Sequence, residues 1–170
     1  MSNFEILGNY EKFLKDSLKE TENIGISTVG YEIDHVCFRV SSTREYDLYK
    51  RKLLKISSAF LENIVHGRPI SKFILKTPLE VEGYSVSLVE LPSPKENRQY
   101  KTGLEHIEVV VGNDFESFLN RYKNLFSGEE NVTTLNHTVF VTLKGGRTIK
   151  FHRFPLTKVV RSEGYNFVKL

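Results

Sequence analysis

This sequence has little cysteine, no long apolar runs and almost no excess of one charge, and each shortage removes a class of function. Cys37 is the only cysteine in 170 residues. No internal disulfide can form, and a reducing, cytoplasmic setting is expected. Apolar runs such as residues 109–111 fall far short of the ~20 residues of a membrane-spanning helix. Residues 1–8 lack the basic start and apolar core of a secretory leader, so none is expected. Lys and Arg number 24 against 21 acids, a net charge of +3, and they are dispersed along the chain. That argues against nucleic acid as a partner. A small molecule is expected instead, with no membrane and no nucleic acid.

What is there is the composition of an ordinary globular protein, 39% hydrophobic and 26% charged. The length suits a single domain over residues 1–170 that buries most of its apolar surface. Ser2 with Glu5 forms a capping box, and Leu7, Tyr10, Leu14 and Leu18 recur at helical spacing, which predicts one helix over residues 3–20. A linker follows.

A pattern then occurs twice, over residues 31–92 and 103–154. Residues 32–40 (EIDHVCFRV) read as a strand. Ser42 and Glu45 cap a helix whose buried stripe is Tyr46, Tyr49, Leu53 and Ile56. Residues 60–65 and 70–75 read as strands joined across His66-Gly67-Arg68-Pro69, and residues 84–91 as a fourth. In the second half, residues 104–111 (LEHIEVVV) are a strand and Asn113 with Glu116 starts a helix. Residues 132–134, 139–143 and 148–154 supply three more strands, the last two joined by Lys144-Gly145-Gly146-Arg147. Each half is β-α-β-β-β and leaves sheet edges open, so the two should pair. Residues 155–170 read as a tail. The fold class is α+β: two pseudo-symmetric βαβββ modules forming a curved mixed sheet around a cavity.

Alternation along the strands places particular side chains together. His35 is expected to share a face with Ile33, Cys37 and Arg39, and His106 with Leu104, Glu108 and Val110. His152 shares one with Thr148 and Lys150, and Glu90 with Val86 and Leu88. The opposite faces are nearly all apolar in three of these strands, as packing under helices requires. A polar concavity on the other side would then be lined by Arg39, Glu108 and Lys150 beside the histidines. Asp34 and Glu105 precede histidines and are expected on the helix-packed face. His35 and His106 lie 71 positions apart, early in equivalent strands, and Glu90 and His152 lie 62 apart, late in equivalent strands. Pairing of the halves therefore brings four ligand-type residues to one place.

The strings DHVCFR, HGRPI, VELPSP, LEHIEVVV and TIKFH carry a resemblance. The chain resembles the YecM-like branch of the vicinal oxygen chelate superfamily, which includes glyoxalase I, extradiol dioxygenases and methylmalonyl-CoA epimerase. The resemblance implies a divalent metal held by His35, Glu90, His106 and His152. Glyoxalase-like members usually have a carboxylate where this chain has His152. Imidazoles with a carboxylate suit Zn, Fe(II), Ni or Mn and leave two places in an octahedral shell for neighbouring substrate oxygens. The implied activity is isomerase, lyase or oxygenase chemistry on a small oxygenated metabolite. Glu90 or Glu108 would serve as the base, and Arg39, Lys150 or Arg68 would hold a substrate carboxylate or phosphate. The superfamily also contains binding proteins, so a sequestering protein of the same fold is the alternative reading, and a bare interaction module a third.

Other residues have plainer readings. His66 beside Gly67 is a turn residue and His137 an edge residue. Cys37 is a small buried filler, with thiol ligation left open. Lys50, Arg51, Lys52 and Lys55 form a solvated helix face. With both halves in one chain a monomer is expected, a homodimer remaining open.

Overall fold

Two helices stand where the apolar spacing predicts one. In the computed structural model, which describes residues 2–131, 135 and 137–170, α1 (Asn3–Leu7) opens on the expected Ser2–Glu5 capping box and stops at Gly8. Gly8 has φ +74°, a left-handed backbone that residues with a Cβ rarely adopt. The Asn9 side chain then accepts a bond from the Lys12 N–H and starts α2 (Tyr10–Asn23).

The first half runs β1 (Glu32–Arg39), α3 (Thr43–Ile56), β2 (Ser57–Val65), β3 (Arg68–Val81) and β4 (Tyr84–Pro92). His66 and Gly67, both at positive φ, make a two-residue hairpin turn, so Arg68 and Pro69 belong to β3 rather than to the turn. The second half runs β5 (Gly103–Val110), α4 (Phe115–Tyr122), β6 (Gly128–Glu130), β7 (Thr138–Thr142) and β8 (Thr148–His152). The strand expected over residues 132–134 lies outside the described residues.

Residues 155–170, read from the sequence as a tail, are instead α5 (Leu156–Ser162) and β9 (Val168–Lys169). β9 pairs with β2. Both are too short for a periodicity to register in the sequence, and both owe their form to the sheet they lie on.

Among the described residues one unclosed sheet has the order β6-β7-β8-β5-β1-β4-β3-β2-β9. The halves meet where β1 and β5 run antiparallel, and each centre strand is flanked by a parallel partner, β4 or β8. One core lies between the sheet and helices α1 to α4, through Leu14, Leu18, Tyr46, Leu53, Phe115 and Phe118 against Val36, Phe38, Ile107, Val109 and Phe151. Among the described residues no helix is long and apolar enough to cross a membrane.

The β1–β5 seam corrects the alternation expected from sequence. Ile33 pairs with Val109 but His35 with Glu108; Cys37 pairs with His106 but Phe38 with Leu104. Asp34 and Glu105 are therefore the extra residues of two β-bulges, placed equivalently in the two halves. A bulge re-aims side chains beside it. Ile33 and Leu104, expected beside the histidines, pack instead against the helix-side core. Asp34 and Glu105, expected under the helices, bond to the histidines that follow them.

The same register sets the true correspondence between halves. Exchanging the strands maps His35 onto His106 and Cys37 onto Glu108. Cys37 pairs with Glu90 on β4, while Glu108 pairs with Lys150 on β8. The counterpart of Glu90 is therefore Lys150, not His152, which lies two residues further and pairs with Val110. The sequence reading misses this by one pleat because it runs the last strand to residue 154, whereas β8 ends at His152, as β4 does at Pro92.

Candidate metal centre and its cavity

Three imidazoles meet on the face of the sheet away from α1 to α4. His35 enters from β1, His106 from β5 and His152 from the end of β8, and all three are buried. Each spends Nδ1 on a neighbour. His35 Nδ1 lies 2.7 Å from Asp34 Oδ2, His106 Nδ1 3.1 Å from Glu105 Oε2, and His152 Nδ1 2.6 Å from the Phe154 carbonyl. An acceptor at Nδ1 keeps a proton on that nitrogen and turns Nε2 inward. All three Nε2 atoms are buried without a hydrogen-bond partner among the described residues.

The Glu108 carboxylate sits among them. Its Oε1 is 3.2 Å from His106 Nε2 and 3.6 Å from His35 Nε2, and its Oε2 is 3.4 Å from His152 Nε2. These are ion-pair distances without hydrogen-bond alignment. Ligand atoms of His35, Glu90 and His106 lie within 4.8 Å of one another, as do those of Asp34, His35 and His152 and those of Cys37, Glu105 and His106. Of the four residues picked out in the sequence, His35, Glu90 and His106 form one group, His152 joins His35 through a second group with Asp34, and Glu108 stands between the three imidazoles. The signal for Glu108 was present: it shares a face with His106 and lies opposite His35 once the strands are paired.

The charges respond to this crowding. Burial alone would push His35 down, but the Glu108 charge and the Asp34 bond outweigh it and carry the imidazole up to about 10. His106 is raised well above its usual range, with Cys37, Glu105 and Glu108 overcoming burial. Glu108 falls well below the carboxylate range because His35, Lys150 and His106 outweigh the cost of burying it. Glu105, against burial, is drawn down to about 2 by His106 and Arg39. With these shifts the metal-free imidazoles His35 and His106 hold protons against the Glu108 carboxylate, and a metal ion bound there would displace those protons.

The site opens into a cavity of about 170 Å³, lined from the sheet by His35, Arg39, Arg68, Lys72, Glu90, His106, Glu108 and Lys150. α5 and its C-cap residue line its other side with Leu156, Val159, Val160 and Glu163. Arg39, Arg68 and Lys150 thus face the same space as the histidines. Lys72, which the sequence reading passed over, is a fully buried lysine at 2% exposure. Its Nζ donates to Asn63 Oδ1 at 2.7 Å and lies 4.0 Å from Glu90 Oε2. The β3–β4 register sets Lys72 directly opposite Glu90. His66 holds a turn at positive φ, and His137 is an edge residue bonded to Glu129 at 3.0 Å. Cys37 is buried.

A family model described as YecM protein matches residues 3–144. Protein YecM of Escherichia coli (strain K12) is 29% identical over 175 aligned positions, covering 94% of this chain and 93% of its own. An uncharacterized protein of Haemophilus influenzae is 34% identical over 105 positions, 62% of this chain and 53% of that one. A solved structure described as Structural Genomics, Protein EC4020, is 27% identical and covers 96% of this chain and 97% of its own, with a TM-score of 0.72.

Proposed function

The chain belongs to the YecM protein family, and from that premise we propose a divalent-metal-dependent enzyme of the vicinal oxygen chelate type. Its substrate would be a small oxygenated metabolite, and its reaction an isomerase, lyase or oxygenase chemistry. The observation that carries this reading is the set of three buried Nε2 atoms, on His35, His106 and His152, that face one carboxylate at 3.2, 3.6 and 3.4 Å for His106, His35 and His152 without an aligned hydrogen bond among the described residues. Buried polar atoms without an aligned hydrogen bond are costly, and three around one carboxylate ask for a shared occupant.

His35, His106 and His152 would hold the ion with a carboxylate from Glu90 or Glu108. Three neutral imidazoles and one carboxylate suit Zn, Fe(II), Ni or Mn. Bound there, the ion would supply Lewis-acid polarisation of a substrate oxygen. The protein residues supply the rest. Asp34, Glu105 and the Phe154 carbonyl hold the imidazoles in the tautomer that presents Nε2. Whichever of Glu90 and Glu108 is not committed to the ion can accept a proton from substrate. α5 walls one side of the cavity with Leu156, Val159 and Val160.

The test is metal analysis of the full chain purified without a histidine tag. About one equivalent of transition metal is expected, as purified or after adding Zn, Fe(II), Ni or Mn. His35→Ala and His106→Ala should abolish it and His137→Ala should not. Less than about a tenth of an equivalent under all four additions would sink the metal reading. Metal without turnover of any small oxygenated acid or aldehyde would move the protein to the sequestering alternative.

A further inference from the structure

The cavity wall beyond the imidazoles is cationic. Arg39, Arg68, Lys72 and Lys150 face it, against Glu90, Glu108 and Glu163. Lys150 is committed, 3.0 Å from Glu130 and 3.6 Å from Glu108. The two guanidiniums are only partly committed. Arg39 gives Nε to Glu105 and lies 5.2 Å over the Tyr100 ring, yet its Nη1 is buried without a partner among the described residues. Arg68 gives Nη1 to the Ser93 carbonyl, and its Nε is likewise buried and unpartnered. The pair are near enough to repel: after burial, the Arg39 charge is the next cause holding Arg68 below the usual guanidinium range. Lys72 adds a third positive group, with one Nζ bond, to Asn63.

Like charges placed together with unspent N–H groups are unfavourable unless an anion joins them, and guanidiniums suit oxyanions in particular. The cavity has a volume of about 170 Å³, which suits a small ligand. We propose that Arg39 and Arg68, with Lys72 beside them, form an oxyanion subsite, and that the molecule acted on is a small carboxylate or phosph(on)ate metabolite. This rests on the reading that the imidazole cavity is the substrate site. The charged group lies against the arginines and directs the molecule's remaining oxygens toward His35, His106 and His152.

The experiment is calorimetric titration of the full chain, stripped of metal by chelator, with inorganic phosphate and with acetate at constant ionic strength. Stripping keeps the probes from binding through an ion. At least one probe should bind, and Arg68→Gln should weaken it about tenfold or more. Arg39→Gln should do the same if it folds; Arg68→Gln, whose guanidinium has no carboxylate pair to lose, decides the matter if it does not. Phosphate preferred over acetate points to a phosph(on)ate, the reverse to a carboxylate. No heat from either probe at about 10 mM, or equal binding by Arg68→Gln and wild type, overturns the proposal. His137→Ala, outside the cavity, should keep both metal and probe. Probe binding in a protein that never takes metal would defeat the metal reading alone, and metal binding without probe binding would defeat this one alone.

Discussion

Asp34 joins the first strand of the protein to its last helix: its Oδ2 accepts from the Leu156 backbone N–H at 3.0 Å as well as facing His35 Nδ1 at 2.7 Å. One bulge carboxylate thus orients a candidate ligand and fixes the start of the helix that covers the cavity. Closure and site geometry share an atom.

Removing the donor alone tests that link. Leu156 is the first residue of α5, and Pro155 before it is extended, so Leu156→Pro is sterically acceptable there. Compared with Leu156→Ala, which also loses the side chain, Leu156→Pro should cost about 1 kcal/mol more in chemical denaturation. It should also weaken metal binding. Equal stability and equal metal affinity in the two variants would show that Asp34 acts on His35 without help from α5.

The bulge acids should matter to metal as much as to folding. Asp34→Asn and Glu105→Gln should each reduce metal affinity about 10–100-fold, the usual effect of losing the partner behind a ligating imidazole. Competition with a chelating dye measures this. Affinities equal to wild type would mean that the imidazoles hold their orientation by packing alone.

Acid stability has a separate source in Glu62, which accepts from Tyr46, Lys50 and Ser71 at 2.6, 2.6 and 2.7 Å. Although burial pushes this carboxyl up, those three partners outweigh it and hold it below its ordinary value of 4.5. A carboxyl lowered on folding stabilises the protein above its unfolded-state pKa, and that contribution disappears as pH falls through the folded value. Below about pH 4.5 the melting temperature of wild type should therefore fall more steeply than that of Glu62→Gln. Parallel curves from pH 7 to pH 3 would remove Glu62 from the account.

Gly128 tests the packing of the second half. A Cβ there would lie 2.8 Å from Phe140 Cζ and 3.0 Å from its Cε1, so the ring must turn. Gly128→Ala should cost about 1 kcal/mol, and adding Phe140→Leu should recover part of it as a favourable coupling. Additive losses would mean that the edge strand shifts and the ring does not.

Much of this was legible in the sequence because it depends on local pattern. The two βαβββ halves follow from caps, apolar stripes and Gly turns, and the equivalence of His35 and His106 follows from their places in strands, whereas that of Glu90 and His152 does not hold. The misses depend on relations between strands. A bulge leaves no mark on one strand read alone, so Asp34 and Glu105 were assigned to the wrong face. Lys72 takes its position from the residue opposite it, Glu90, which only the register supplies. α5 and β9 are shaped by the surface they cover and have too few residues for a pattern of their own. Gly8 did leave a mark, and its effect on the first helix was there to be read.

The exchange of Glu90 for Lys150 at equivalent places has a consequence for recognition. A cavity between two like halves would offer a bound molecule two equal poses related by half a turn. With an acid on one wall and an amine on the other, those poses differ in energy, and the cavity has a head and a foot. A chiral or merely unsymmetrical molecule entering it would be told which way to lie before any bond is made or broken.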